Sequence, residues 1–349
     1  MKKNSISICF RCDFGPQYGL GHLMRCIALA EAFGKYSRIQ TYCLTNSYNE
    51  KFQGLLNQSG MQVITFSEKT IGLKFELEKY LKNSEECITI FDHYGVTFQQ
   101  MNVYKKKYPH LVAIDDLADR RFHVDLIINH NIDAENLAYQ TTNKTVFLLG
   151  NQYGLLRNNI LKPRKDQKKD RIFMSFGGGD VFSRIKTFLG AFQQIDQQLT
   201  HPLHIDFVIA ANNKRLRDIQ LIMKGLDKIK FTYISNSYDL SSTMSQACFA
   251  ITAAGSMSFE LAALGIPQIT FILDTNQEVT GQKINKIGFG KCPGYINKVT
   301  HNEFTKLFNE FLTNESMKEK MSETGRNFID GKGKSRVIKE IIKLYNLAI

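Results

Sequence analysis

Arg11-Cys-Asp-Phe-Gly-Pro-Gln-Tyr-Gly-Leu-Gly-His-Leu-Met-Arg25 is the stretch of sequence that decides the fold. Residues 5–10, just before it, alternate in the manner of a β-strand. The residues after it are apolar at helical spacing until Gly34, which resembles a helix C-cap. The stretch is therefore predicted to be a glycine-rich loop between a strand and a helix, where backbone N–H groups attract an anion.

The rest of the chain continues this alternation of short apolar runs and helical patterns. Strands are predicted at 5–12, 39–45, 61–66, 87–92, 110–115, 125–129, 145–149, 171–176, 204–210, 230–235, 248–253 and 268–273. Helices are predicted near 22–34, 49–59, 70–82, 97–107, 181–196, 213–225, 256–264 and 276–287, with further helices from about 301 to 349. Such alternation is typical of βαβ units and parallel sheets, so the fold class is α/β.

A polar, basic segment separates two such halves. Residues 157–170 carry Pro163 and have little to bury, so they are predicted to be a linker. The prediction is an N-terminal Rossmann-like domain over 1–156 and a C-terminal Rossmann-like domain with C-terminal helices over 171–349. Ligands of doubly wound sheets bind at the carboxyl ends of strands, so we expect a cleft between the two domains to hold the site.

Composition sets limits on function without choosing one. The 349 residues carry a net charge of +12, which permits an anionic partner but also fits a general lysine bias. No apolar segment reaches the ~20 residues of a membrane span, and the N-terminus does not resemble a signal peptide. The spacing of the seven cysteines does not suggest a disulfide framework, which fits a protein in a reducing compartment. We expect a cytoplasmic protein without a membrane partner.

Cys9 and Cys12 form a C-x-x-C pair, but they lie in a predicted strand. Redox pairs need a helix start to lower the pKa of a thiol, and no second pair completes a zinc site. The carboxylates Asp115, Asp116, Asp119 and Asp125 form a cluster without the repeated spacing of Mg²⁺ ligands and are interpreted as caps or turns. We therefore predict neither a metal nor a cofactor.

Two candidate segments lie in the first half. The loop spacing G-x-x-x-G-x-G-H, which includes Gly19, Gly21 and His22, is neither a dinucleotide fingerprint nor a P-loop, and a tight turn with an exposed histidine is the alternative. The second segment ends a buried-type strand with Asp92, His93 and Tyr94, which are plausible acid, base or orienting groups. The alternative for Asp92 is a cap of the next helix.

Two more candidate segments lie in the second half. A strand that ends in Gly177 and Gly178 resembles a second ligand loop, with a flexible turn as the alternative. Ala254, Gly255 and Ser256 lead into a helix whose N–H groups are suited to a phosphate. Glu260, one turn further, is placed to accept ribose hydroxyls, although glutamate is also favoured near any helix N-terminus.

Together these motifs resemble the nucleotide-sugar hydrolases of pseudaminic acid synthesis, the PseG-type UDP-2,4-diacetamido-2,4,6-trideoxy-β-L-altropyranose hydrolases. Those enzymes are relatives of the MurG glycosyltransferase and have the GT-B fold. The resemblance spans nearly the whole chain. Its pieces are Arg11-x-Asp13, 19–25, 92–95, 114–118, 149–157, 175–180, 254–262, Asn276-Gln277 and 330–333.

The resemblance implies a role for each matching residue. His22 would activate the water that displaces UDP, with Tyr94 in the active site and no metal. The residues implied to bind substrate or UDP are Gly19, Gly21, Arg25, Gly177, Gly178, Ala254, Gly255, Ser256, Glu260, Asn276 and Gln277. The product sugar would serve pseudaminic acid synthesis and flagellin glycosylation.

A mechanism follows as a hypothesis. A helix N-terminus disfavours imidazolium, so we expect His22 to stay neutral and act as a base. Asp13 and Tyr94 are expected to orient either His22 or the water. The runner-up function is a MurG-like UDP-sugar glycosyltransferase. A nucleic-acid-binding protein is suggested only by the charge, and lysine and arginine are scattered outside the linker.

Overall fold

The computed structural model describes residues 5–14, 21–46, 52–65, 87–142, 144–160, 170–177, 181–209, 213–235 and 240–347. The chain forms two compact units. Unit 1 is Met1–Asn158 together with Gly331–Ile349, and unit 2 is Asn159–Asp330. The predicted helix at 70–82 and residues 161–169 of the predicted linker lie outside the described residues.

Unit 1 is built on a parallel sheet. Its strands are β1 (Ile6–Cys12), β2 (Ile39–Thr45), β3 (Gln62–Thr65), β4 (Cys87–Asp92), β5 (His110–Ile114), β6 (Arg121–Phe122), β7 (Leu126–Asn129), β8 (Gln140–Thr141) and β9 (Val146–Leu149), and its first helices are α1 (Gly21–Phe33), α2 (Gln53–Gln58) and α3 (Phe98–Lys107). The seven-stranded sheet has the order β3-β2-β1-β4-β5-β7-β9, and β6 pairs with β8. Every pairing is parallel.

The centre of this sheet is where the order of the strands reverses. On one side of β1 the chain adds β2 and then β3, and on the other side it adds β4, β5, β7 and β9. Strands β1 and β4 are therefore neighbours, and they pair from Ser7↔Cys87 to Cys12↔Asp92. All residues of both strands are buried. Near-continuous apolar runs are what a parallel strand covered on both faces requires. The carboxyl ends of β1 and β4 therefore meet at the switch point where such sheets bind ligands.

Unit 2 repeats the architecture. Its strands are β10 (Arg171–Ser175), β11 (Leu203–Val208), β12 (Ile229–Ile234), β13 (Ala247–Ala253), β14 (Gln268–Phe271) and β15 (Gly290–Lys291), and its helices are α4 (Val181–Gln198), α5 (Leu216–Met223), α6 (Ser241–Ser245), α7 (Ser256–Ala263), α8 (Glu278–Ile287), α9 (His301–Thr313) and α10 (Glu315–Phe328). The sheet order is β12-β11-β10-β13-β14-β15, all parallel. Phe188, Phe192 and Phe304 pack between the sheet and the helices α4 and α9.

The last helix, α11 (Gly333–Tyr345), belongs to unit 1 and packs against α1. The predicted domain over 171–349 is therefore wrong at its end. Lys334 is one residue that holds α11 on unit 1. Its Nζ donates to Asn158 Oδ1 at 2.6 Å and lies 3.7 Å from Glu31 Oε2. A Cβ at Gly333 would lie 2.3 Å from the backbone of Gly154, so only glycine permits this close approach.

Within the described part of the chain, no helix has the length and apolar character needed to cross a bilayer.

Replacing Ile341, which is fully buried on α11, by alanine should destabilise unit 1 by about 2–5 kcal/mol through lost burial and a cavity. Hydrogen exchange should accelerate in β1 and β4 while β10 and β13 keep their protection. Lys343→Ala, on the same helix with a side chain that is 77% exposed, is the matched control. Loss of protection in β10 and β13 alone would contradict the assignment of α11.

Candidate functional site

The carboxyl ends of neighbouring strands bring the titratable side chains of unit 1 together. Asp13 follows β1, Asp92 ends β4, and Asp116 follows β5. His22 is the second residue of α1. Because β1, β4 and β5 are adjacent and parallel, their ends form one edge of the sheet, and this edge carries the candidate site.

His22 and Asp92 form a hydrogen-bonded dyad. His22 Nδ1 lies 2.5 Å from Asp92 Oδ1, and the Asp92 side chain has no exposed surface. Burial would raise the pKa of Asp92, but the charge of Arg25 and the hydrogen bond of His22 lower it below its usual value. An ionised carboxylate only accepts hydrogen bonds, so Nδ1 carries the proton. In neutral His22 the lone pair is therefore on Nε2.

The pKa of His22 differs from the sequence-based expectation. Burial favours the neutral ring, but the hydrogen bond and charge of Asp92 outweigh it and raise the pKa of His22. The expected lowering at the helix N-terminus is therefore wrong, because a carboxylate in direct contact acts more strongly than the helix dipole. His22 remains able to accept a proton at pH values above this raised pKa.

Arg25 holds the two carboxylates in place. Its Nε donates to Asp92 Oδ2 at 2.5 Å, its Nη2 donates to Asp92 Oδ1 at 2.6 Å, and its Nη1 donates to Asp116 Oδ2 at 3.2 Å. Nη2 also lies 3.1 Å from His22 Nδ1, a contact between two protonated nitrogens. These described hydrogen bonds position Asp92 and Asp116, and the predicted contact of Arg25 with the substrate stays a prediction.

Tyr94 completes this group. Its hydroxyl donates to Asp116 Oδ1 at 2.8 Å, and its ring meets the His22 ring edge-on with centroids 4.9 Å apart. Burial of the phenol and the charge of Asp116 raise the pKa of Tyr94, so it stays a neutral phenol. Tyr94 as a whole is 46% exposed, so part of this side chain faces solvent. The structure thus places Tyr94 beside His22.

Asp13 belongs to a separate network. Its described hydrogen bonds do not include His22, which corrects the predicted orientation of His22 by Asp13, whereas the alternative that Asp13 orients the water stays a prediction. Arg11 donates to both carboxylate oxygens at 2.6 and 2.9 Å, and His93 Nε2 lies 2.8 Å from Oδ2. Thr45 Oγ1 and the Asn46 N–H also donate to Oδ1. Burial opposes ionisation, but these bonds from His93 and Arg11 hold the pKa of Asp13 well below its usual value.

Further residues of unit 1 that the sequence singled out are Gly19, Gly21, Cys9 and Asp115. Gly21 is the first residue of α1, and a Cβ there would meet nothing within 4 Å. Gly19 is outside the described residues. The Cys9 thiol is buried and lies 3.4 Å from the Cys87 sulfur. Asp115 accepts the N–H groups of Leu117 and Ala118, which is the turn expected for it.

In unit 2 the described residues at the carboxyl ends of β10 and β13 include small ones. Gly177, two residues after β10, has φ +72°, and Gly178 is outside the described residues. Ala254 and Gly255 connect β13 to α7, and Gly255 is the N-cap residue without a side-chain cap. Ser256, the first residue of α7, is exposed. An exposed helix start without a side-chain cap is the kind of position at which anions bind, and the predicted phosphate site here stays a prediction.

Three further predicted residues flank this loop. The 3₁₀ turn Thr275–Gln277 carries Asn276, which is exposed, and Gln277, whose Oε1 accepts the Leu273 N–H at 3.0 Å. A Cβ at Gly255 would lie 3.8 Å from Gln277 Nε2, so this amide faces the start of α7. Glu260 lies half-buried in the second turn of α7.

Sequence reasoning missed two residues of the unit 1 site. Asp116 was interpreted as a cap or turn, yet it binds both Arg25 and Tyr94. His130, directly after β7, was not singled out, although it is buried at the same edge of the sheet. A signal was available for both, because each is a polar residue at the carboxyl end of an apolar strand.

Comparison with known proteins supports the resemblance. No family model matches the chain. The UDP-2,4-diacetamido-2,4,6-trideoxy-β-L-altropyranose hydrolase of Campylobacter jejuni is 24% identical over 288 residues, which cover 81% of this chain and 98% of that protein. The spore coat polysaccharide biosynthesis protein SpsG of Bacillus subtilis is 22% identical, covering 97% of this chain and 98% of that protein. The predicted resemblance to the PseG-type proteins is thereby confirmed.

Solved structures define the class of fold. MurG of Acinetobacter baumannii superimposes with a TM-score of 0.66 at 14% identity, covering 97% of this chain and 99% of that one. S. aureus MnaA, solved with UDP, has a TM-score of 0.68 at 14% identity, and the match covers 98% of this chain and 97% of that one. With its two Rossmann-like parallel-sheet units, the chain has the GT-B fold, as predicted from sequence.

Replacing Asp92 by asparagine should lower the pKa of His22. Burial of the imidazole favours its neutral form, and an uncharged amide no longer stabilises the imidazolium against this effect. An NMR titration of the His22 ring nitrogens measures the change. Asp119→Asn, on a side chain that is 54% exposed, is the control and should leave the titration of His22 unaltered. An unchanged His22 pKa in Asp92→Asn would show that the dyad does not control this imidazole.

Proposed function

We propose that this chain is an enzyme that acts on a UDP-sugar, and that its reaction is hydrolysis with release of UDP. The observation that carries the proposal is the His22–Asp92 dyad, in which one ring nitrogen is held by a buried carboxylate at 2.5 Å. This arrangement orients an imidazole so that its other nitrogen can take a proton. The relationship to the hydrolase of Campylobacter jejuni supports UDP-2,4-diacetamido-2,4,6-trideoxy-β-L-altropyranose as the substrate.

In the proposed reaction His22 Nε2 takes a proton from a water molecule. The water oxygen bonds to the anomeric carbon as the bond from that carbon to the phosphate oxygen breaks. UDP leaves with the electron pair of that bond, and the imidazolium is stabilised by Asp92. Tyr94, which is neutral and lies beside the ring, can hydrogen-bond to the water or to the sugar.

Unit 2 is proposed to hold the nucleotide. The exposed start of α7, with Gly255 and Ser256, offers N–H groups and the positive end of the helix dipole to the diphosphate. Glu260 is proposed to accept the ribose hydroxyls, and Gln277 and Asn276 to flank the nucleotide. Stabilising the departing diphosphate in this way requires no cation.

A UDP-sugar glycosyltransferase is the second candidate, favoured by the structural similarity to MurG. The two functions differ in whether an acceptor is needed. Incubation of the chain with the UDP-diacetamido sugar in ¹⁸O-labelled water and no acceptor distinguishes them by mass spectrometry. A hydrolase releases UDP and a free sugar that carries the label at its anomeric oxygen, whereas a transferase releases little UDP.

His22→Asn should reduce kcat by about 10²–10⁴-fold, because general-base assistance is lost. UDP affinity measured by calorimetry should stay at the parent value, since UDP is assigned to unit 2. The control His123→Asn removes a half-buried imidazole of unit 1 that bonds to Asn102 away from the dyad. Turnover of His22→Asn near the parent rate would remove His22 from the chemistry.

Glu260→Ala should weaken UDP binding about 10–150-fold, since hydrogen bonds to a charged group contribute roughly 1.5–3 kcal/mol. The rate at saturating substrate should change less than the affinity. Calorimetry with UDP makes the measurement, and Glu319→Ala on an exposed part of α10 is the control. Equal UDP affinities of Glu260→Ala and the parent would withdraw the ribose assignment.

A further inference from the structure

His93 is a largely buried imidazole next to the dyad that the proposed reaction does not use. In the sequence it lies between Asp92, which holds His22, and Tyr94, whose ring meets the His22 ring. The Gly95 N–H donates to His93 Nδ1 at 2.9 Å. This nitrogen is therefore the acceptor, and the proton of the neutral ring is on Nε2.

The other ring nitrogen of His93 is anchored to Asp13. His93 Nε2 donates to Asp13 Oδ2 at 2.8 Å, and the Asp13 side chain is only 1% exposed. Asp13 is itself held, since Arg11 on β1 donates to both of its oxygens and the Asn46 N–H, after β2, donates to Oδ1. With both nitrogens hydrogen-bonded inside the protein, the ring is not placed to exchange a proton with a substrate.

These bonds fix the turn that carries Tyr94. Through its two nitrogens the His93 ring ties the residue before Tyr94 to β1 and also holds Gly95, the residue after it. The His93 carbonyl accepts from Arg120 Nη2 at 3.4 Å, and Arg120 also pairs with Asp115, which follows β5, at 3.1 Å. The backbone on both sides of Tyr94 is therefore held against β1 and β5, the two neighbours of β4.

The position of this turn matters because packing encloses only part of Tyr94. The residue is 46% exposed, and its described side-chain contacts are the hydrogen bond to Asp116 and the edge-on contact with the His22 ring. The bond to Asp116 is 2.8 Å long, and a displacement of ~1 Å takes such a pair outside the range of a hydrogen bond. A small movement of the turn would thus release the Tyr94 hydroxyl.

We propose that His93 is a positioning residue that holds the turn 93–95 and thereby places the Tyr94 hydroxyl beside His22 for the reaction. The proposal rests on the proposed function, in which Tyr94 hydrogen-bonds to the water or to the sugar. It makes Asp13 the anchor of His93. A neutral histidine suits this position because it offers an acceptor and a donor on two sides of one rigid ring.

The kinetic test is a double-mutant cycle with Tyr94→Phe, using the UDP-diacetamido sugar as substrate. His93→Ala should lower kcat by about 10–10²-fold, since a misplacement of ~1 Å can cause a loss of this order. UDP affinity measured by calorimetry should stay at the parent value, because UDP is assigned to unit 2. In the Tyr94→Phe background the same substitution should cost far less, since no hydroxyl is left to misplace.

Two kinetic outcomes would overturn the proposal. Additive losses from His93→Ala and Tyr94→Phe would show that His93 does not act through the Tyr94 hydroxyl, as expected of a merely structural role. Parent-like kcat in Tyr94→Phe would show that the reaction does not depend on where this hydroxyl lies.

Two conservative variants separate the bonds of the ring. His93→Asn keeps an acceptor for the Gly95 N–H but is too short to reach Asp13, whereas His93→Gln keeps a donor that reaches Asp13 but no acceptor for Gly95. Each should recover part of the kcat lost in His93→Ala, and His93→Asn replaces the alanine variant in the cycle if that variant does not fold. No recovery in either would contradict the assigned bonds. His123→Ala, which removes a half-buried imidazole bonded to Asn102, is the control and should keep the parent kcat.

A measurement without substrate separates this proposal from the proposed function. The rings of Tyr94 and His22 have centroids 4.9 Å apart, so their protons should give a nuclear Overhauser signal in the parent chain. His93→Ala should lose this signal, and an unchanged signal would overturn the proposal. If the signal is lost but the parent releases no UDP from the UDP-sugar, the placement of Tyr94 by His93 stands and the proposed function fails.

Discussion

The buried carboxylate of Asp92 is the group on which the unit 1 site depends. A carboxylate with no exposed surface is stable as an ion only if donors surround it. Arg25 supplies two short hydrogen bonds and His22 supplies a third, with the Cys26 thiol 3.9 Å away. Because Asp92 is ionised, it fixes the tautomer of His22, orients its ring and raises its pKa. One buried charge therefore sets three properties of the proposed base.

The two units present different groups at the carboxyl ends of the same kind of parallel sheet. In unit 1 the strand ends carry charged and polar side chains, which suit proton transfer and the recognition of a sugar. In unit 2 the equivalent ends are Gly177 and Ala254–Gly255, which leave the backbone and the start of α7 accessible. Backbone N–H groups suit a diphosphate. This division of roles supports a nucleotide-sugar substrate, which presents both kinds of group.

Local patterns were sufficient for most of the fold. The apolar runs predicted as strands at 39–45, 87–92 and 125–129 match β2, β4 and β7 closely, since buried parallel strands have an unambiguous composition. The placement of α11 in unit 1 was not predictable, because it depends on contacts of Lys334 with Glu31 and Asn158, far away in the sequence. The short strand β15 and the short helix α6 were likewise missed.

The sequence alone determined the fold class, the position of His22 at a strand–loop–helix junction and the resemblance to UDP-sugar hydrolases, because each can be recognised from short motifs and their order along the chain. Only the tertiary structure decided which carboxylate holds His22, and Asp92 takes the place expected for Asp13. It also decided that Arg25 positions carboxylates, that the pKa of His22 is raised and that His130 is enclosed without a described partner for Nδ1. The physical reason is that hydrogen bonds and desolvation depend on distances between strands, which sequence spacing does not contain.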